Sequence, residues 1–149
     1  TGERGRDRMV RALRRRVRGD VDGSPRRRAE YSSDASNYRV LPDAVVFPRD
    51  DADVAAVLDF ALAEGTSVTA RGAGTSVAGN AIGPGIVLDF SRHMNAVLAV
   101  DAEQRTAKVQ PGVVLGALQR RIASEGLRFG PDPSTQNRCT LGGMIGNNA

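Results

Sequence analysis

The chain has 149 residues, of which 40% are hydrophobic, and a formal net charge of +4 at pH 7. A chain of this length and composition can bury a sizeable core and normally forms one domain. It contains no run of about 18 apolar residues, and its N-terminus is too charged to hold the apolar core of a signal peptide, so we expect a cytoplasmic protein.

The positive charge is concentrated at the N-terminus. Residues 1–30 contain eleven arginines and five acidic residues, so this segment carries +6 and the remaining 119 residues carry −2. Such a segment can bind nucleic acid or an anionic membrane surface, which is an alternative main role and includes peripheral attachment to the inner face of the cell membrane. Binding of nucleic acid is disfavoured because Tyr31 is the only nearby aromatic residue that could stack on bases.

The N-terminal part predicts a helix followed by a linker. Apolar residues recur at helical spacing at Met9, Val10, Leu13 and Val17. They predict an amphipathic helix over residues 8–18 that ends at Gly19. The polar residues 20–37 predict a linker or an extended arm. We therefore divide the chain into an arginine-rich helix and arm, residues 1–37, and a packed region, residues 38–149.

The packed region begins with one strand and one helix. The apolar run Ala44–Phe47 predicts a strand, which Pro48 stops. Asp50 can cap a helix that Gly65 terminates. One face of this predicted helix is lined by Val54, Val57, Leu58, Ala61 and Leu62.

A glycine-rich loop follows the next predicted strand. Residues 67–70 and 86–90 predict strands, and between them residues 71–79 read RGAGTSVAG. Glycine lets the backbone approach a ligand, so successive N–H groups can converge on an anion, with the Thr75 and Ser76 hydroxyls as further donors. The loop fits neither a P-loop nor the Rossmann fingerprint. We interpret it as a phosphate cradle at the carboxyl end of a strand, with a flexible turn as the alternative.

The second half predicts a hairpin, a helix and another loop. Residues 96–100 and 106–110 predict an antiparallel hairpin, and residues 114–122 mark a helix that ends by Gly126. Residues 139–149 are rich in small and amide-bearing residues, with no closing strand or helix, which indicates truncation within a functional loop. We interpret them as a second phosphate- or cofactor-binding surface. Cys139 is the only cysteine, which excludes an internal disulfide and a cysteine-clustered metal site within this chain.

Five motifs in order resemble the FAD domain of the vanillyl-alcohol oxidase type, also called the p-cresol methylhydroxylase type. They are PDAVVFP (42–48), RGAGTSVAG (71–79), VQPG (109–112), FGPDPS (129–134) and TLGGMIGNNA (140–149). The similarity is strongest to the D-lactate dehydrogenase, D-2-hydroxyglutarate dehydrogenase and glycolate oxidase branch. The runs DASNYR (34–39) and RHMN (92–95) resemble its long members, which also carry iron–sulfur domains.

The resemblance implies an α+β fold, with a small parallel β–α portion followed by an antiparallel portion, here incomplete. It implies a flavin-dependent oxidoreductase that oxidises a D-2-hydroxy acid, of the D-lactate, D-2-hydroxyglutarate or glycolate class, to the 2-oxo acid by hydride transfer to flavin N5. It implies that the base and metal ligands lie in a later domain, so we assign no catalytic or metal-binding residue here and expect the isolated chain to be inactive. The electron acceptor would be a quinone or an iron–sulfur domain outside this chain. A reductase of the UDP-N-acetylmuramate type uses a similar cradle and is a further alternative.

The resemblance also implies three groups of FAD-binding residues. The first wraps the pyrophosphate and consists of Arg71, Gly72, Ala73, Gly74, Thr75, Ser76 and Gly79. The second borders the flavin and ribityl chain and consists of Pro131, Asp132 and Ser134. The third lies along the other side of the cofactor and consists of Thr140, Gly142, Gly143, Gly146 and Asn147. A side chain at Gly142 or Gly143 would collide with the dinucleotide. Thr75 stands where members with covalently bound flavin carry histidine, so we expect dissociable FAD. The only histidine, His93, is given no role.

Overall fold

The computed structural model describes residues 2–149. Their helices and strands follow in the order α1 (Glu3–Arg14), β1 (Asp20–Asp22), α2 (Pro25–Glu30), β2 (Ala44–Phe47), α3 (Asp51–Glu64), β3 (Val68–Arg71), β4 (Ile86–Asp89), β5 (Val97–Asp101), β6 (Thr106–Val109), α4 (Leu115–Ala123) and α5 (Leu141–Gly146). Within residues 2–149, no helix is both long enough and apolar enough to cross a membrane.

The strands form one mixed sheet and one hairpin. The mixed sheet has the order β1-β2-β4-β3, in which β1 runs antiparallel to β2 while β2, β4 and β3 are parallel. Strands β2 and β4 are buried along their whole length, as their continuous apolar sequences require. Strands β5 and β6 pair as an antiparallel hairpin. The predicted parallel β–α portion followed by an antiparallel portion is therefore confirmed.

The unit formed by β2 and α3 matches its prediction at both ends of the helix. The Asp50 carboxylate accepts a hydrogen bond from the Asp53 N–H, and Gly65 closes α3 in the left-handed conformation. The buried face differs, because the predicted Leu58 and Leu62 are 49% and 85% exposed. The buried stripe consists of Asp53, Val57, Phe60 and Ala61. A pattern of apolar residues could not indicate this stripe, since it begins with a buried carboxylate.

The N-terminal segment is more structured than the sequence predicts. Helix α1 spans Glu3–Arg14 instead of residues 8–18, although all four of its predicted apolar residues are buried. The chain leaves the helix early because the N–H groups of Arg18 and Gly19 turn to bind the Asp53 carboxylate. Of the two predictions for residues 20–37, a linker is wrong, since β1 pairs with β2 and α2 follows it, and the extended arm stays a prediction. One hydrophobic core contains residues from both sides of residue 38. The division of the chain into residues 1–37 and 38–149 stays a prediction.

The C-terminal residues pack as a second core that includes a further helix. The absence of a closing helix was a wrong prediction, because α5 begins at Leu141. The Thr140 hydroxyl caps it by accepting a hydrogen bond from the Gly143 N–H at 3.2 Å. Three glycines in six residues lower the intrinsic helix propensity and conceal this helix from sequence patterns. The buried Cys139 packs in this core as a small apolar side chain.

Candidate functional site

A cleft of about 690 Å³ lies between the carboxyl end of β3 and helix α5. One wall is the first glycine loop, which we define as residues 71–81, and the other is residues 139–149. Twelve of the fifteen predicted site residues line this cleft: Arg71, Gly72, Ala73, Gly74, Thr75, Ser76, Gly79, Thr140, Gly142, Gly143, Gly146 and Asn147. The structure therefore brings two segments that are separated by 57 residues in the sequence into one site.

The predicted residues of the FGPDPS motif lie elsewhere. Pro131, Asp132 and Ser134 do not line the cleft, and Asp132 forms an ion pair with Arg128 at 3.0 Å. Pro133 and Thr135, from the same irregular segment, line it instead. The motif therefore reaches the cleft through Pro133, and Thr135 directly after the motif also lines it.

The two walls touch at two points. A Cβ atom added at Gly72 would overlap the Thr140 hydroxyl and lie 3.1 Å from the Thr140 Cβ. The Asn80 side-chain amide donates a hydrogen bond to the Asn147 side-chain oxygen at 3.3 Å. The sequence pattern did not single out Asn80, whose only signal is its position directly after the glycine-rich run. At these two points the first glycine loop and residues 139–149 lie against each other.

Two glycines of the cleft differ in whether packing within the protein requires them. At Gly142 an added Cβ would lie 2.8 Å from the Pro111 Cβ, so packing within the protein already requires glycine there. At Gly146 an added Cβ would meet no atom within 4 Å, and the residue does not have a positive φ. Nothing in the described protein requires glycine at this position, although it faces the cleft. A bound group that approaches the backbone closely would explain it.

Arg71 supports the first glycine loop as well as adding charge to it. Its Nη1 donates hydrogen bonds to the carbonyl oxygens of Ser33 at 2.9 Å and Ala81 at 3.2 Å. The guanidinium lies 4.8 Å from the centre of the Tyr31 ring, a cation–π contact. The Tyr31 hydroxyl donates a 2.6 Å hydrogen bond to the buried Asp89, and burial together with this carboxylate raises the Tyr31 pKa above its usual value.

The hydroxyl groups of the loop differ in availability. The Ser76 oxygen accepts hydrogen bonds from the N–H groups of Ala78 and Asn80, each at 3.2 Å, so its proton remains available for an acceptor in the cleft. The Thr75 hydroxyl has no hydrogen-bond partner within residues 2–149. Both can donate to an anion, and the charge of Arg71 favours one there.

Residues with metal-binding or acid–base chemistry do not gather at the cleft. Residues 2–149 contain no group of three or more histidine, cysteine, aspartate or glutamate side chains placed to hold a metal ion. His93 lies outside the cleft lining and contacts Asp20 at 3.0 Å. Its hydrogen bond is the main cause that lowers the Asp20 pKa below the usual value.

Residues 42–149 match a family described as an FAD binding domain. D-2-hydroxyglutarate dehydrogenase from Pantoea ananatis is 44% identical over 134 residues, which cover 88% of this chain and 13% of that relative. Glycolate oxidase subunit GlcD from Bacillus subtilis is 38% identical over 133 residues, which cover 87% of this chain and 28% of that relative. The chain thus spans less than a third of either relative.

Two solved structures share the fold at low identity. Alkyldihydroxyacetonephosphate synthase superposes with a TM-score of 0.76 and 22% identity over 97% of this chain and 29% of its own. The 4-ethylphenol oxidase from Gulosibacter chungangensis gives a TM-score of 0.70 and 19% identity over 89% of this chain and 27% of its own. Since the first superposition covers nearly the whole chain, it includes the N-terminal segment.

Proposed function

Because this chain belongs to the FAD binding domain family, we propose that it is the FAD-binding part of a flavin-dependent oxidoreductase that oxidises a D-2-hydroxy acid to the 2-oxo acid. The relatives named D-2-hydroxyglutarate dehydrogenase and glycolate oxidase subunit support this substrate class. They also favour it over the alternative of a UDP-N-acetylmuramate-type reductase. The observation that carries the cofactor assignment is the cleft together with Gly146 on its wall. Neither packing nor backbone conformation within residues 2–149 requires glycine at this position.

The residues of the cleft fit a dinucleotide. Backbone N–H groups of the first glycine loop, with the Thr75 and Ser76 hydroxyls, would hold the pyrophosphate, and Arg71 would balance its charge. Gly143, Gly146 and Asn147 would lie along the cofactor, and Pro133 of the FGPDPS motif and the following Thr135 would also contribute. FAD supplies the redox chemistry when bound, while this chain orients it and excludes water. The substrate-binding groups, and a quinone or iron–sulfur electron acceptor, would belong to the rest of the longer protein.

The decisive experiment is a spectrum of the longest natural polypeptide that contains this chain. Flavin absorbance bands that move completely into the supernatant after acid precipitation are expected, because Thr75 offers no covalent attachment. A panel of D-2-hydroxy acids should then bleach these bands, whereas the L-enantiomers should not. A colourless protein that cannot be reconstituted with FAD would overturn the proposed function.

Gly146→Ala is expected to weaken FAD binding about tenfold or more without harming the fold. The added methyl group enters open space in the protein and alanine favours a helix, so the melting temperature of the apoprotein should stay level or rise. With FAD bound, the same methyl group would overpack the contact between position 146 and the cofactor, at a cost of roughly 1–3 kcal/mol. Fluorescence titration of the apoprotein measures the dissociation constant.

The matched control for this variant is Gly130→Ala. Gly130 also has no atom within 4 Å of an added Cβ, but it does not line the cleft. Equal FAD affinity for both variants would show that Gly146 does not contact the cofactor.

The alternative role for the arginine-rich segment receives no support from its packing. Met9, Val10 and Leu13, which form the apolar face of α1, are buried in the core. A membrane-bound helix would need that face free. We therefore propose no membrane role for this segment.

A further inference from the structure

Residues 31–36 follow the outer side of the first glycine loop, although they precede the region matched by the family. Three hydrogen bonds join the two segments. The Ala35 N–H donates to the Gly74 carbonyl at 3.1 Å, and the Ala81 N–H donates to Asp34 Oδ2 at 3.3 Å. Arg71 donates to the Ser33 carbonyl at 2.9 Å. The loop is thus bound at its start, its middle and its end.

The segment is itself anchored to the core. Its Tyr31 ring supports the Arg71 guanidinium, and the Tyr31 hydroxyl binds Asp89, a buried residue at the end of β4. Ser32 is 1% exposed, and its carbonyl accepts a hydrogen bond from the Val40 N–H at 2.9 Å. Because residues 31–36 are anchored in this way, their hydrogen bonds to the first glycine loop hold the loop in place relative to the sheet.

The loop needs such support because its own backbone provides little. It contains no helix or strand after Arg71, and both Gly74 and Gly79 have positive φ angles, +67° and +79°. Glycine-rich chain loses much conformational entropy when it is ordered. An unsupported loop would have to be ordered by the ligand, which would weaken binding.

Asp34 is the side chain whose position is hardest to explain otherwise. Burial raises its pKa, but hydrogen bonds from Ser36 and Ala81 and the charge of Arg71 lower the pKa below its usual value, so the carboxylate is ionised near pH 7. A negative charge beside a cleft that favours anions is electrostatically unfavourable. A role in holding the loop accounts for it.

We propose that residues 31–36 act as a clamp, with Asp34 as a positioning residue, that holds the first glycine loop in the conformation that binds FAD. This inference rests on the proposed function for the identity of the ligand. The clamp itself is defined by contacts within the protein, so it can be tested with and without the cofactor.

Asp34→Asn separates this proposal from simple electrostatics, because the two predict opposite signs. The Ser36 N–H binds Oδ1 of Asp34 and the Ala81 N–H binds Oδ2, and asparagine replaces one of these two oxygens with an NH2 group, so one of the bonds is lost. The clamp therefore predicts FAD binding that is roughly tenfold weaker. Loss of a negative charge near a pyrophosphate would otherwise tighten binding. The measurement is FAD titration of the apo form of the longest natural polypeptide.

The matched control is Asp101→Asn. Asp101 makes a similar local bond, accepting from the Gln104 N–H at 2.8 Å, but lies in the β5–β6 hairpin away from the cleft. We expect the FAD dissociation constant of the Asp101→Asn variant to stay within about twofold of the wild-type value. Unchanged or tighter FAD binding by Asp34→Asn would overturn the clamp.

Hydrogen exchange provides a readout that does not depend on the cofactor. Without FAD, Asp34→Asn should speed amide exchange in residues 72–81, whereas Asp101→Asn should not. If these residues exchange at the same rate in Asp34→Asn and in the wild-type protein, the clamp is overturned, even if the wild-type protein fails to bind FAD. If Asp34→Asn cannot be isolated folded, the wild-type protein decides. FAD should then slow exchange in residues 31–36 as well as 72–81, and slowing confined to residues 72–81 would overturn the proposal.

Discussion

Replacing Gly72 with alanine is expected to weaken FAD binding by about 100-fold, the largest effect of any single methyl group in the cleft. The added Cβ would overlap the Thr140 hydroxyl, and Thr140 is only 2% exposed and cannot move aside freely. In the free protein the two walls can move apart to relieve this overlap, and returning them to the spacing that FAD needs would restore an overpacking cost of about 1–3 kcal/mol. Each 1.4 kcal/mol is tenfold in affinity. FAD titration of the apoprotein measures the loss.

A double variant tests whether this loss comes from the contact between the two walls. Thr140→Ala removes the overlapping oxygen, so Gly72→Ala combined with Thr140→Ala should lose less affinity than the sum of the two single losses. Gly130→Ala, which adds the same methyl group outside the cleft, should bind FAD normally. Additive losses, or normal FAD binding by Gly72→Ala, would mean that the first glycine loop and α5 do not form one site.

The elements that could be predicted from sequence are those whose signals are local. Strand β2 is one continuous apolar run, and α3 carries its own cap and its own terminating glycine at Asp50 and Gly65. Strand β1 has the sequence Asp-Val-Asp and becomes a strand because it pairs with β2, more than twenty residues away. No local pattern encodes that pairing, so the sequence of residues 20–37 predicts only a linker or an extended arm.

The same distinction applies to the candidate site. The first glycine loop was indicated by its composition, because glycine and hydroxyl residues describe a loop that binds through its backbone. The bonds of Arg71 to Ser33 and Ala81 depend on the path of the N-terminal segment, which the sequence did not predict. In the irregular segment 130–135 no periodicity indicates which side chains face the cleft, and the prediction named Asp132 where Pro133 and Thr135 line it.

Asp53→Ala is expected to destabilise the fold by about 3–5 kcal/mol, since Asp53 joins the N-terminal segment to the first turn of α3 and to the loop that precedes it. Its carboxylate accepts hydrogen bonds from three backbone N–H groups, those of Arg18 at 2.7 Å, Gly19 at 2.9 Å and Arg49 at 2.9 Å. The residue is 2% exposed, so alanine would leave these donors unsatisfied at about 1–3 kcal/mol each, partly offset where water reaches them. Urea denaturation of this chain measures the free energy of unfolding, and hydrogen exchange of β1 and β2 measures it within the longest natural polypeptide.

The neighbouring Asp51 is the control for this prediction, because it also lies in the first turn of α3 but is exposed. Asp51→Ala should change stability by no more than about 0.5 kcal/mol. If Asp53→Ala were equally mild, the N-terminal segment would not depend on this carboxylate.

The stabilisation that Asp53 provides should also depend on pH with a defined sign. Burial raises the Asp53 pKa. Hydrogen bonds from the N–H groups of Arg49, Arg18 and Gly19 and the charge of Arg18 together lower the pKa by more than burial raises it, so the folded pKa lies below the usual 3.8. A carboxylate with a lowered folded pKa contributes its full stabilisation above the unfolded pKa and loses it as the pH falls through the folded value. The stability difference between wild type and Asp53→Ala should therefore be constant from about pH 5 to 7 and shrink below about pH 4. A difference that grew on acidification would mean that the protonated side chain, and not the carboxylate, holds the N-terminal segment in place.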